Sequence, residues 1–117
     1  MNWKMNYEII ATDDFELKLK RLKKKYPSIA KDYAKFIEDL LKNPTMGDKL
    51  DYNTRKVRMA ISSKNRGKSG GARVITCNIL IDIVNTDIYL LTIYDKSEQD
   101  NISEKEIKYL KEINGLL

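Results

Sequence analysis

Apolar residues Val57, Met59 and Ile61 alternate with Arg58, Ala60 and Ser62, the period of two that a half-buried strand requires. The same alternation sets Arg58 opposite the core face. Earlier in the chain the period is different. Residues 7–11 read as a short strand, after which Phe15, Leu19, Leu22 and Tyr26 recur at helical spacing behind a capping-box-like start, Asp13 followed by Glu16. Pro27-Ser28 breaks and restarts the chain, with Ser28 in the N-cap place of a second helix. Its stripe is Ile29, Tyr33, Phe36, Ile37, Leu40 and Leu41, ending before Asn43-Pro44. Two helices across so short a joint predict an antiparallel hairpin.

After the alternating strand, 73–84 reads as a second strand, Asn85-Thr86-Asp87 as a tight turn and 88–94 as a third strand. That is an antiparallel meander with a long loop over 63–72. Ser103 with Glu106 caps a last helix carrying Ile107, Leu110 and Ile113, and Gly115 suits its end. The predicted order is β-α-α-β-β-β-α. It describes one α+β domain over 1–117, an N-terminal helical hairpin packed on a curved antiparallel β-sheet with a C-terminal helix, the helices on one face.

Composition narrows this picture. In 117 residues, 42% hydrophobic and 33% charged, two prolines and five glycines speak for one folded domain. The apolar run Ile79-Leu80-Ile81 is cut off by Asp82, far short of the roughly 20 residues of a membrane span, and the N-terminus lacks a signal-peptide core. A soluble cytoplasmic protein with no membrane partner is expected. The chain has no histidine and a lone cysteine, Cys77, which excludes disulfide scaffolds, zinc fingers, serine or cysteine triads and histidine-based ribonuclease chemistry. Lys, Arg, Tyr or carboxylates must carry any catalysis, with no metal or cofactor expected. Cys77 reads as a small apolar strand residue.

The net charge of +5 is concentrated. Of the 22 Lys and Arg, seven (Arg55, Lys56, Arg58, Lys64, Arg66, Lys68 and Arg73) lie in 52–81, which contains no acid. The rest of the chain sets 15 basic residues against all 17 acids. Such a block points to a polyanionic partner held through phosphate contacts and counterion release. The basic run 18–25 reads instead as the solvated outer face of the first helix, from which Lys20, Lys23 and Lys24 could add secondary phosphate contacts.

Within the block, Gly67-Lys68-Ser69-Gly70-Gly71-Ala72-Arg73 invites a phosphate-loop reading, but position 62 is Ser62 where that motif needs glycine, and strands flank the loop. What remains is a basic, glycine-rich hairpin loop. The backbone at Ser69, Gly70 and Gly71 can approach phosphates closely, and Lys56, Lys64, Arg66, Lys68 and Arg73 can pair with them.

Together with its surroundings the segment resembles a known family. The stretches Lys56-Val57-Arg58-Met59-Ala60, then Gly67 through Ile75, then Ile88-Tyr89-Leu90-Leu91-Thr92-Ile93-Tyr94-Asp95-Lys96 are similar to the RelE/ParE superfamily of type II toxin-antitoxin toxins, most of all its HigB-like branch. The resemblance covers roughly residues 13 to 112 in order of elements. It implies a ribosome-dependent mRNA endonuclease, an mRNA interferase that inhibits translation, with mRNA, the ribosome and a cognate antitoxin as partners. Arg58, Lys68, Arg73 and Lys96 fall where such toxins commonly place basic active-site residues, and Tyr94 shares the strand end with Lys96. Thr76-Cys77, where relatives often carry aromatic residues, and the acid Asp95 beside the presumed site depart from the pattern.

A metal-independent ribonuclease must activate the 2′-hydroxyl, stabilise the phosphorane and protonate the leaving 5′-oxygen. Arg58 and Arg73 suit the phosphate clamp, Arg73 with its side chain at the sheet surface. Lys68 and Lys96 suit a base or electrostatic activator, and Tyr94 a proton donor or a stacking platform. Tyr89, nearer mid-strand, reads as core. The antitoxin is expected on the helix-hairpin surface around 15 to 41 or across the basic site itself. Two other functions stay open, a ParE-like inhibitor that binds DNA gyrase without cutting RNA and a plain nucleic-acid-binding module.

Overall fold

The computed structural model describes residues 4–64 and 70–117. Among these, strands β1 (Asn6–Ala11), β2 (Asp48–Asp51), β3 (Thr54–Met59), β4 (Ala72–Leu80) and β5 (Asn85–Asp95) form one sheet in the order β1-β5-β4-β3-β2. Helices α1 (Asp13–Lys25) and α2 (Ile29–Lys42) follow β1, and α3 (Glu104–Ile113) follows β5. The α+β architecture agrees with the sequence pattern. Several details do not.

The sheet is mixed rather than antiparallel, because β1 pairs in parallel with β5, Ile9 opposite Ile88 and Ala11 opposite Leu90. The helical hairpin between β1 and the rest of the sheet brings the chain back so that its first and last strands lie side by side and run the same way. The helices also occupy both faces. Val74, Ile88 and Leu90 join Phe15, Leu22, Ile29, Phe36 and Leu40 in a core beneath α1 and α2. Their strand neighbours Ile75, Tyr89 and Leu91, with Cys77, pack instead with Ile107 and Leu110 of α3. Central strands buried on both faces carry continuous apolar runs, and 88–91 is such a run. Cys77 is fully buried, and burial pushes its thiol pKa up, in keeping with an apolar role.

The helix starts divide. Thr12, not Asp13, caps α1, its Oγ1 accepting from the Phe15 N–H at 3.2 Å, while Asp13 takes a place in the first turn. Ser28 stands before α2 but makes no cap bond; its hydroxyl donates to Asp32 at 2.6 Å and lies 2.9 Å from the Ser63 hydroxyl, from which it accepts. Ser103 does cap α3 by accepting from the Glu106 N–H at 3.0 Å. Gly115, at φ +70°, follows the C-cap Asn114 in the left-handed conformation that glycine tolerates. The helix α3 is also tied to the sheet by Lys111, whose buried Nζ donates to Asp51 at 2.9 Å and Asn53 at 3.3 Å.

The β4–β5 turn lies earlier than the sequence suggests. Asp82 Oδ1 accepts from the N–H groups of Val84 (3.0 Å) and Asn85 (2.9 Å), which closes the turn over 81–84. Asn85, Thr86 and Asp87 are thereby freed to pair with Asn6, Tyr7 and Glu8 of β1. Strand β2 escaped the pattern because all four of its residues are exposed and it is held by its ladder to β3.

Candidate functional site

Cross-strand register brings three of the sequence-derived residues into one row. Arg58 of β3 stands opposite Arg73 of β4, and Arg73 opposite Tyr94 of β5. Directly paired residues in antiparallel strands direct their side chains to the same face, with Cα atoms about 4.5–5.5 Å apart. Two guanidinium groups in such a pair repel one another. Side chains carried on one face of such a pair can converge on a single bridging anion.

The members of the row differ in depth. Arg58 is exposed. Arg73 is only 7% exposed, against the surface position expected of it, and its Nη1 donates to the Ala72 carbonyl at 3.2 Å. The reason is its place in β4, a strand flanked by β3 and β5 and packed on both faces. Tyr94 is buried as well. Burial raises its phenol pKa, the Arg73 cation partly opposes that rise and Asp100 adds to it, so the hydroxyl keeps its proton at neutral pH. A protonated phenol beside a guanidinium pair can donate a proton to a departing alkoxide.

The turn after β5 orients two further cations. Lys96 reaches back to Asp100, donating to its carbonyl at 2.5 Å and its carboxylate at 2.9 Å, and Lys56 donates to Asn101 Oδ1 at 2.8 Å. Both ammonium groups are thus oriented by partners that an incoming phosphate can replace. Gly70 is half-buried and Gly71 buried. A Cβ on Gly71 would come within 2.2 Å of the Met59 carbonyl oxygen, so this glycine is needed for the close approach of the loop to the end of β3, before any contact with phosphate. Arg66, Lys68 and Ser69 lie outside the described residues.

Lys64 is where structure and sequence part most clearly. Instead of facing solvent it donates to Asp95 Oδ1 at 2.7 Å and Ser97 Oγ at 3.0 Å, and lies 5.2 Å from the centre of the Tyr26 ring. Asp95, which the sequence marks only as a foreign acid, has a fully buried carboxylate that also accepts from Tyr26 Oη at 2.6 Å and from the Ser97 N–H and hydroxyl at 2.9 and 2.7 Å. Burial opposes its ionisation, but the bonds from Lys64, Tyr26 and Ser97 outweigh that and hold its pKa well below the usual carboxylate range. A second buried acid, Asp32, accepts from the Ser62 N–H at 2.9 Å and from the Ser62 and Ser28 hydroxyls. Each carboxylate has a serine partner a few residues away, Ser28 for Asp32 and Ser97 for Asp95, but its remaining partners, Ser62 for Asp32 and Lys64 and Tyr26 for Asp95, come from elements distant in the chain.

A depressed carboxylate pKa makes a definite acid-range prediction. Asp95 contributes its stabilisation in full above its unfolded pKa of about 4, and loses it as pH falls toward its folded value. The stability gap between the parent and Asp95→Asn should therefore narrow steadily below about pH 4. Urea midpoints taken across that range measure it, and a gap independent of pH would show that Asp95 is not ionised in the fold.

Among the described residues no group of three or more His, Cys, Asp or Glu is placed to hold a metal ion, and no helix is long and apolar enough to cross a membrane. No family model matches the chain.

Proposed function

We propose that this protein is the toxin of a type II toxin-antitoxin pair, of RelE/ParE type and HigB-like, acting as a ribosome-dependent mRNA endonuclease in the cytoplasm. The single observation that carries the reading is the Arg58–Arg73–Tyr94 row across β3, β4 and β5. It joins two guanidinium groups suited to a phosphorane with a phenol that retains its proton. Arg58 and Arg73 clamp the non-bridging oxygens. The 2′-oxygen attacks phosphorus as its proton passes to water, the positive charge of Lys96 and of Lys68 of the loop favouring that ionisation. The P–O5′ bond breaks as Tyr94 protonates the 5′-oxygen, and Lys56 steers the strand. Histidine-free chemistry of this kind is weak by itself, and orientation of the message in the ribosomal decoding site supplies much of the rate.

Primer extension on cellular mRNA after brief induction tests the reading. New 5′ ends inside translated codons are expected. Intact messages with blocked DNA supercoiling would transfer the protein to the gyrase-inhibitor class. Tight, steeply salt-dependent binding of free RNA without cleavage would make it a binding module.

A further inference from the structure

The segment that leads from β3 into the basic loop is held unusually firmly for a hairpin connection. Its short 3₁₀ turn, Ser62–Lys64, is bonded at Ser62 to the Asp32 carboxylate of α2, at Ser63 to the Ser28 hydroxyl (N–H to Oγ, 2.9 Å) and at Lys64 to the Asp95 carboxylate. The far side of the loop meets the same acid by another route. Asp95 pairs in the ladder with Ala72, and the Lys96 N–H donates to the Gly71 carbonyl at 3.0 Å. Arg73 and Tyr94 are the next pair along.

From this convergence we infer that Asp95 is a positioning residue. Its backbone fixes the start of β4 and its buried carboxylate fixes the 62–64 turn, so that together they set where Arg73 stands. Lys64, at 2.7 Å, is then the nearer counter-ion of Asp95, with Lys25 at 4.0 Å, and not a phosphate contact. Tyr26, donating to the same carboxylate from the C-cap of α1, extends the anchor to the helical hairpin. A lysine whose side chain is 10% exposed and whose ammonium group already serves a carboxylate and a hydroxyl has little to offer RNA. Removing it should loosen the turn. It should not weaken phosphate binding.

The inference rests on the ribonuclease reading only for what the anchored residues do, and the test keeps the two apart. Amide hydrogen exchange in Asp95→Asn and in Lys64→Met should be at least about tenfold faster at Ser63, Lys64 and Ser97, and unchanged in the β1–β5 pairing. Where RNA is bound, Lys64→Met should leave the slope of log affinity against log salt as in the parent, whereas Arg58→Gln should reduce it by about one. Asp95→Asn should lower kcat about tenfold without raising KM, since it removes an acid from the site and no cation. Should Asp95→Asn fail to fold, Tyr26→Phe takes its place, removing one partner of the carboxylate. Unaltered exchange at Ser63 and Lys64 in Lys64→Met would overturn the anchor, and a salt slope reduced by about one in that variant would overturn the counter-ion role. If the parent protein neither binds nor cuts RNA, the ribonuclease reading falls while the exchange measurements still decide the anchor.

Discussion

If the protein cuts mRNA as proposed, Arg73→Ala should lower cleavage by at least about 100-fold, the usual cost of removing one preorganised donor to a transition-state oxyanion. Arg73 stands between Arg58 and Tyr94 in the row, and its charge lowers the proton affinity of the phenol while it serves the phosphorane on the proposed reading. Because the side chain is buried, truncation should also cost about 1–3 kcal/mol of stability through lost packing of its methylene stem. The two losses are separable. Arg73→Lys keeps a cation and most of the stem but not the fork, so it should recover most of the stability and little of the rate. Cleavage of ribosome-bound message, measured well below the unfolding temperature of each variant, checks this. An Arg73→Ala protein that is folded and fully toxic would remove Arg73 from the mechanism.

Gly71→Ala should be among the most destabilising single-methyl additions in the chain, at about 3 kcal/mol, the upper part of the usual range for overpacking. The added Cβ meets backbone on every side, Met59 O at 2.2 Å, Ile61 N at 3.0 Å and Ala60 Cα at 3.1 Å, and backbone cannot turn aside as a flexible side chain can. Relief requires the start of β4 to move off the end of β3, which would break the Met59–Ala72 pairing and carry Arg73 with it. A fall in Tm of about 10 °C or more by calorimetry is expected. Gly115→Ala, where nothing lies within 4 Å, should cost only the strain of a left-handed alanine, about 1 kcal/mol. Equal effects at the two glycines would mean that close packing is not what Gly71 provides.

Both expectations concern residues the sequence singled out, Arg73 for the same phosphate role and Gly71 for another. Gly71 and Arg73 were legible as part of a basic, glycine-rich loop, yet the sequence offered phosphate approach for the glycine and a surface position for the arginine. What decides their roles is the neighbouring strand. Residues 59 to 61 are brought against residue 71 by β3–β4 pairing, a contact that no local pattern encodes.

The same division runs through the whole molecule. Sequence alone determined the three helices, the β3 alternation that turns Arg58 outward, the Ser103 cap and the concentration of positive charge in 52–81, since each depends on residues a few positions apart. Tertiary structure alone decided that β1 runs parallel to β5, that α3 covers the face opposite α1 and α2, and that the unpatterned β2 completes the sheet. It also turned Lys64 from an apparent phosphate ligand into the partner of Asp95, and Asp95 from an apparent intruder into a buried anchor. The physical reason is the range of the interactions. Periodicity and capping are written within one or two turns of chain, whereas burial of a charge and its compensation depend on which distant groups the fold brings together.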